Sequence, residues 1–231
     1  MNYIPISNLE QWRSLLADPN KQWVYGYSAY ELAHAWQGEM KFPASIEQLL
    51  LDSGISMMRE LDPIAMFPEH QVHLDTRQAP SQNDLFVLAR TSTDLMTIMV
   101  EGKVDEPFGP TVADWLKDAS AGKLRRLQFL KEHLHLSSID DERLGSIRYQ
   151  LLHRTASALI EAKRYHARHA MMLVHSFSDS AAWLEDYDAF LALYDLQGGA
   201  NAIAGPVRVK GIDLWLGWIS DRQASDFEVF S

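Results

Sequence analysis

The segment from Ser81 to Gly109 constrains the fold of this chain more than any other segment. It contains two runs rich in apolar residues, Leu85–Arg90 and Leu95–Val104, and the second run alternates apolar side chains onto both faces. Between them, Thr91-Ser92-Thr93-Asp94 has the composition of a turn. We therefore predict a β-hairpin around which the rest of the chain is organised.

The turn sets the register of this predicted hairpin. If it is centred between Ser92 and Thr93, Asp84 lies opposite Glu101. Directly opposed side chains on one face of a hairpin lie roughly 4.5–5.5 Å apart at Cβ. Lys103 is two residues beyond Glu101 and points to the same face. The sequence thus predicts two carboxylates and an ammonium group on one patch of a largely apolar sheet.

Carboxylates at this spacing repel each other unless a positive charge lies between them. A hard divalent cation with oxygen ligands would meet that requirement. The lysine would then hold or activate a water molecule, or stabilise negative charge on a phosphate. The alternative is a solvated strand end at which Asp84, Glu101 and Lys103 form only a salt bridge.

The spacing of these residues resembles a known signature. Asp84 is followed, after sixteen residues, by Glu101-Gly102-Lys103, which resembles the D…(D/E)xK pattern of the PD-(D/E)XK nuclease superfamily. Asn83 stands where the nominal pattern has proline. The segments VEGKVDEPFG and RYQLLHRTASALIEAKR also resemble an uncharacterised bacterial family assigned to that superfamily. The resemblance covers most of the chain, from about residue 28 to residue 219.

The resemblance implies both a fold and an activity. The fold would be α/β, with a three-layer restriction-endonuclease-like core, a mixed central sheet and a helical N-terminal extension. The activity would be divalent-metal-dependent hydrolysis of phosphodiester bonds in DNA, with Mg²⁺ or Mn²⁺ as cofactor. Asp84, Glu101 and the carbonyl group of Gly102 would bind the metal, and Lys103 would position the attacking water. A catalytically inactive binding or regulatory module on the same fold is the alternative.

A long helix predicted over Arg143–Tyr165 is unusually polar for a helix that packs on a sheet. In the resembled superfamily this helix often presents a Gln or Arg to the active site. The resemblance therefore implies a catalytic role for Gln150 and substrate-binding roles for Arg148 and Arg154. The alternative is a polar helix flank that faces solvent.

A further glutamate often completes the metal site in this superfamily, and three residues are candidates. Glu69 ranks first, because it lies just ahead of a strand predicted over Glu69–Arg77 and could reach the carboxylates from there. Glu31 is better explained by a capping box with Ser28 than by a place in the metal site. Glu47 is explained by an exposed position on a helix.

Composition limits the remaining possibilities. The 231 residues, 47% of them hydrophobic, are enough for one sizeable core. The absence of cysteine excludes disulfides and cysteine-ligated zinc, and it fits a reducing cytoplasm. The sequence has no apolar run of the length that spans a membrane, which is about 18 residues. We therefore expect a cytoplasmic protein without membrane contact.

Charge is unevenly distributed. The formal net charge of −10 argues against non-specific coating of nucleic acid. The window Lys123–His169 nevertheless contains ten lysines and arginines against five acidic residues. A nuclease needs one cationic approach to phosphate, and this window would supply it. Ordinary solvated helix faces are the alternative.

The expected organisation is an N-terminal extension (1–27), a restriction-endonuclease-like domain (28–220) and a polar tail (221–231). The resemblance leaves a homodimer open. The sequence further predicts helices over Leu9–Ala17, Ser28–Trp36, Ala44–Ser53, Ile55–Met66, Gly122–His133 and Ala181–Tyr194, a parallel strand over Ala170–Phe177, and late strands over Val207–Lys210 and Ile212–Ile219.

Overall fold

The computed structural model describes residues 8–38, 40–74 and 79–221. Six strands form one mixed sheet in the order β1-β2-β3-β4-β6-β5. The strands are β1 (Asp62–Val72), β2 (Ser81–Arg90), β3 (Leu95–Lys103), β4 (His169–Ser176), β5 (Ala202–Val209) and β6 (Ile212–Ser220). Strands β3, β4 and β6 run parallel, and β1, β2 and β5 pair antiparallel to their neighbours.

Helices cover both faces of this sheet. They are α1 (Leu9–Arg13), α2 (Pro19–Gln22), α3 (Ser28–Trp36), α4 (Ala44–Asp52), α5 (Val112–Trp115), α6 (Ala121–His133), α7 (Asp141–Gly145), α8 (Tyr149–Arg164) and α9 (Leu184–Leu191), with 3₁₀ turns at Ser56–Glu60 and Ala192–Tyr194. None of the helices in the described part of the chain combines the length and the apolar character needed to cross a membrane.

Successive side chains of β2 enter two separate hydrophobic clusters, as expected for a strand covered on both faces. Phe86 and Leu88 belong to the cluster beneath α6, α8 and α9. Leu85 and Val87 belong to the cluster that contains residues of α3 and α4. Trp12 of α1 is buried in the second cluster, so the N-terminal segment shares the core of the main domain. The α/β class expected from the sequence is confirmed.

The hairpin register predicted from the turn is confirmed. The pairs run from Arg90 opposite Leu95 to Leu85 opposite Val100. Asp84 and Glu101 are the next residues along each strand, just beyond the last pair. The predicted parallel strand after the helical crossover is also confirmed, since β4 pairs in parallel with β3.

The predicted helix over 55–66 and the start of the predicted first strand were wrong. Only a 3₁₀ turn forms, and the strand already begins at Asp62. Pro63 and Pro68 are tolerated within β1 because it is an edge strand, where one side of the backbone has no partner. Residues 75–77 of the predicted strand lie outside the described residues.

The predicted helix over Arg143–Tyr165 is in fact two helices, α7 and α8. Between them Arg148 forms an isolated antiparallel bridge with Thr111, and the amide of Tyr149 donates to the carbonyl of Pro110. These backbone bonds compete with helical ones, so α8 begins only at Tyr149. The late strand predicted over Val207–Lys210 begins earlier than expected, since β5 runs from Ala202 to Val209.

Candidate active site

The candidate site lies where β2 and β3 stop pairing. Beyond the last backbone pair of the ladder, the amide of Gly102 donates a hydrogen bond of 3.0 Å to Oδ2 of Asp84. A side-chain carboxylate therefore replaces the backbone carbonyl that would accept this bond in a continued ladder. Asp84 is 24% exposed, whereas the Glu101 side chain is 2% exposed. The hairpin register thus brings the two carboxylates together at the end of the ladder.

The Glu101 carboxylate is the centre of a buried polar network. Its Oε1 accepts hydrogen bonds of 2.6 Å from Nζ of Lys103 and of 2.6 Å from Nε2 of Gln150. Its Oε2 accepts from Nε of Arg154. Charge-assisted hydrogen bonds of this kind are about twice as strong as neutral ones. The fold therefore assembles side chains from β3 and α8 around one carboxylate.

Arg154 links both carboxylates. Besides its contact with Glu101, its Nη2 atom lies 3.3 Å from Oδ1 of Asp84, and its Nη1 atom lies 3.4 Å from Oγ of Ser81. Burial would lower the pKa of Arg154, but the charges of Glu101 and Asp84 outweigh burial and raise it. The guanidinium is thus a fixed positive charge beside the carboxylate pair.

The carboxylates differ in their tendency to ionise. Burial and the neighbouring Glu101 raise the pKa of Asp84 to about 6. Burial would raise the pKa of Glu101 as well, but Arg154 and Lys103 hold it below its ordinary value. Near neutral pH, Glu101 is therefore ionised, whereas Asp84 holds its proton up to about pH 6.

Glu69 lies on β1, the strand that pairs with β2. Its neighbours Pro68 and His70 are paired with Leu85 and Asn83, which places Glu69 opposite Asp84. Its Oε2 accepts a hydrogen bond of 2.6 Å from Nε2 of Gln82. Burial and the charge of Asp84 raise the pKa of Glu69 to about 8, so it is largely protonated at neutral pH. Its backbone has φ 52, a left-handed conformation that is uncommon for a residue other than glycine.

Gly102 is required by the close approach of α3. A Cβ atom at this position would lie 3.3 Å from Cβ of Leu32 and 3.3 Å from the carbonyl oxygen of Ser28. The carbonyl of Lys103 accepts from the amide of Phe177 on the β4 side, and backbone groups alternate along a strand. The carbonyl of Gly102 therefore faces the side on which Asp84 lies.

A cleft of about 560 Å³ opens over these residues. Asp84, Glu101, Lys103, Gln150 and Arg154 all contribute to its wall. The rest of the wall comes from α2 and α3, from the segment after β3, and from the first turns of α8; it includes Lys21, Tyr27, Phe108, Tyr149 and His153. The ammonium of Lys103 lies 5.0 Å from the centroid of the Phe108 ring, a cation–π contact.

The chain belongs to the DUF6946 family. The family model, described as a domain of unknown function, matches residues 5–223. No curated protein and no solved structure matches the chain. The description of the family names no activity.

The structure places Arg148 outside the cleft. Its Nε atom lies 2.9 Å from Oδ2 of Asp186, its Nη1 atom donates to the carbonyl of Gly109, and its guanidinium lies 5.4 Å from the Trp183 ring centroid. Arg148 is the N-cap residue of α8, because α7 ends at Gly145 and α8 begins only at Tyr149. Of the two arginines expected to bind substrate, only Arg154 faces the cleft.

The two helical glutamates also lie outside the cleft wall. Oε1 of Glu31 accepts a hydrogen bond of 3.0 Å from the amide of Gly26. The expected capping box was wrong, because Tyr27 rather than Ser28 is the N-cap of α3. Glu47 is exposed in the first turn of α4. Glu69 is the one of the three candidates that interacts with Asp84 and Glu101.

Sequence reasoning missed His153 as a component of the site. Its Nδ1 atom lies 2.8 Å from Oγ of Ser81. Burial and the charges of Arg154 and Arg126 hold its pKa well below the ordinary value, so the ring is neutral. The signal was its position three residues after Gln150, which places both on one side of α8.

The donor atoms suit a hard divalent cation. Two carboxylates and one backbone carbonyl are the oxygen ligands that such ions prefer. Burial and the charge of Glu101 raise the pKa of Asp84 more than Arg154 and Lys103 lower it. Within residues 8–38, 40–74 and 79–221, no three His, Asp or Glu side chains are grouped closely enough to hold a metal ion. A metal would therefore rest on Asp84, Glu101 and the backbone, and it would share the carboxylates with Arg154.

Proposed function

We propose that this DUF6946 protein is a divalent-metal-dependent nuclease that hydrolyses phosphodiester bonds in DNA, on a restriction-endonuclease-like fold. One observation carries the proposal: the buried Glu101 carboxylate, next to Asp84, is contacted by Lys103, Gln150 and Arg154 at the floor of an open cleft. The chain order of helices, the hairpin with the motif, a helix and a parallel strand supports the finer fold assignment.

Asp84, Glu101 and the Gly102 carbonyl would hold Mg²⁺ or Mn²⁺. When bound, the metal would supply positive charge that offsets the charge developing on the phosphate. The ionised state of Glu101, maintained by its cationic neighbours, keeps a ligand available over the whole neutral pH range. Asp84 would supply the second ligand in its ionised form, above about pH 6.

Lys103 orients the attacking water. Its ammonium is fixed by Glu101 at 2.6 Å and by the Phe108 ring, and two further N–H bonds remain for ligands in the cleft. A rigid ammonium beside a carboxylate can hold a water oxygen in line with a phosphate and stabilise the negative charge that develops in the transition state.

Gln150 and Arg154 are placed to hold the phosphate. The amide of Gln150 and the guanidinium of Arg154 already approach the site from α8, and each has N–H groups beyond those bound to Glu101. Planar guanidinium groups match the geometry of phosphate oxygens. Neutral His153 stands beside them as a hydrogen-bonding group without adding charge.

The test is metal-dependent cleavage by the wild type and by Glu101→Gln. The substitution keeps the shape of the side chain but removes the charge that holds Lys103 and Arg154, so we expect cleavage of plasmid DNA with Mg²⁺ to fall at least about 100-fold. Glu47→Gln, on the exposed surface of α4, is the matched control and should retain wild-type activity. Equal cleavage by Glu101→Gln and the wild type would refute the assignment.

A binding or regulatory module is the second candidate, and the position of Arg154 favours it. Because the guanidinium contacts both carboxylates, their charges are balanced without a metal. In that case the chain would bind nucleic acid or protein without cleaving it. Binding of DNA that is the same with and without Mg²⁺, together with no cleavage, would favour this module over the nuclease.

A further inference from the structure

A second cavity, of about 660 Å³, lies away from the cleft, between α6, the C-terminal half of α8 and the β5–β6 turn. It shares no lining residue with the cleft, although α8 contributes to both. Its volume is typical of sites for small organic ligands, which range from roughly 300 to 1,000 Å³. A cavity of this size could bind a ligand larger than an inorganic ion.

The cavity is cationic in a protein that is acidic overall. Its wall includes Lys163, Lys210, His73, His133 and His166. None of the described residues that line it is an aspartate or a glutamate. The formal net charge of the whole chain is −10, so this local excess of positive charge runs against the general composition.

The two lysines are not neutralised by the described part of the chain. Neighbouring cations form ion pairs: Arg164 lies 2.6 Å from Glu161, and Arg208 lies 2.5 Å from Asp213. Neither Lys163 nor Lys210 forms such a pair with a described residue. Lys163, Lys210 and His133 line the same cavity, and burial together with the charges of both lysines lowers the pKa of His133.

The remainder of the wall is apolar and includes a flat aromatic surface. Leu159, Ile160 and Ile212 contribute aliphatic side chains. Phe129 and His133 stack with ring centroids 3.8 Å apart and planes 24° apart. An apolar wall next to two ammonium groups that form no ion pair with the described residues favours a ligand that combines a flat apolar body with a negative charge.

We propose that this cavity binds a phosphorylated organic anion with a flat ring, of the class of a nucleoside monophosphate. Lys163 and Lys210 contact the phosphate, and the ring lies against the Phe129–His133 surface. Lys is a common binder of phosphate as a point charge. The proposal does not rest on the nuclease activity, because it involves none of the residues in the cleft.

Calorimetric titration of AMP into the full-length protein tests the proposal, with a double variant that retains the local backbone. Lys210 has φ 48 and precedes Gly211 with φ 89, in a two-residue turn between paired Val209 and Ile212. Asparagine favours this left-handed conformation, so Lys210→Asn removes the charge without straining the turn. Lys163→Gln completes the variant, since glutamine is a good helix former.

The matched control is Arg13→Gln with Lys117→Gln, which removes the same charge from exposed positions outside both cavities. We expect the wild type and the control to bind AMP alike and the cavity variant to bind at least about tenfold more weakly. Adenosine and inorganic phosphate should each bind the wild type at least about tenfold more weakly than AMP, because each lacks one half of the ligand.

Three results would overturn the proposal. They are no heat of binding with the wild type at millimolar AMP, an affinity that Lys163→Gln with Lys210→Asn leaves unchanged, and tighter binding of octanoate than of AMP. The first would show that no such site exists, and the second would place AMP elsewhere on the protein. The third would show a site for an aliphatic anion rather than for a flat phosphorylated ring.

Discussion

At the scale of single residues, the positive charge of Arg154 offsets the free-energy cost of burying the two carboxylates. Its side chain is 8% exposed and contacts both Glu101 and Asp84. Removing one partner of a buried charge network leaves the others without compensation, which is far more costly than losing an exposed pair. The stability of the chain without metal should therefore depend strongly on this one side chain.

We expect Arg154→Met to lower the free energy of unfolding by about 3 kcal/mol in the presence of EDTA. Mg²⁺ should restore part of this loss, because the ion can occupy the position vacated by the guanidinium. Denaturant titration with EDTA and with Mg²⁺ measures both effects. Arg208→Met removes a pair with Asp213 in which the arginine is 56% exposed, and it should cost less than about 1 kcal/mol. A loss for Arg154→Met no larger than that of the control would contradict the role assigned to Arg154.

Glu69 makes stability depend on pH. Its pKa is raised from 4.5 to about 8 in the folded state, so the folded chain holds a proton that the unfolded chain loses between these values. Where the unfolded state binds fewer protons than the folded state, the free energy of unfolding falls as pH rises. The contribution of Glu69 is therefore present below pH 4.5 and declines towards pH 8.

We expect the wild type to lose stability between pH 5 and pH 8, and Glu69→Gln to lose distinctly less. The glutamine keeps a neutral side chain of similar shape, so no ionisation is forced on the buried site. Thermal unfolding followed at several pH values in that window measures the difference. Parallel curves for the two proteins would show that Glu69 ionises freely in the folded state.

The grouping of Asp84, Glu101 and Lys103 was within reach of sequence reasoning, whereas the true position of Arg148 was not. The first three follow from strand alternation and one turn, which are local properties. The position of Arg148 depends on the bridge to Thr111, a contact between segments 37 residues apart in the chain. Sequence periodicity on its own does not report such a contact.

At the scale of secondary-structure elements, the contact of α3 with β3 fixes the position of the motif. The contact is close at Gly102, where added side-chain atoms would meet Leu32 and Ser28. A methyl group added at Gly102 would displace both the backbone of Ser28 and the side chain of Leu32, so it should disturb the end of the hairpin.

We expect Gly102→Ala to lower the free energy of unfolding by about 1–2 kcal/mol and to reduce cleavage, since the motif shifts relative to α8. Gly145→Ala is the matched control, because its added Cβ would lie at an ordinary 3.5 Å from Cβ of Ala113. Alanine is also preferred to glycine in a helix such as α7. Denaturant titration of both variants measures the free energy of unfolding. An unchanged value for Gly102→Ala would show that the close approach of α3 does not require glycine at this position.

The elements that the sequence predicted well are those with a strong local signal. The hairpin, α3 and β4 have clear apolar patterns within the segment itself. Strand β1 was misplaced because its two prolines argue against a strand, and only its edge position in the sheet makes them acceptable. Edge position is a property of the assembled sheet rather than of the segment.

At the scale of the whole molecule, the sheet brings two distant parts of the chain to one site. The carboxylates come from β2 and β3, and the amide and guanidinium come from the first turns of α8, about 50 positions later in the chain. The expected α/β class followed from the order of strands and helices, whereas the convergence on Glu101 required the packed structure. The nuclease assignment depends on that convergence.

The most direct test of this account is the titration of Mg²⁺ and Mn²⁺ by calorimetry into the wild type, Asp84→Asn and the control Asp62→Asn, together with plasmid cleavage. Asp62 lies on β1, is 57% exposed, pairs with Arg90 and does not line the cleft. We predict that the wild type and the control bind the metal and nick plasmid, and that Asp84→Asn does neither. No binding by the wild type at millimolar metal would contradict the account and leave the carboxylates as structural partners of Lys103, Gln150 and Arg154.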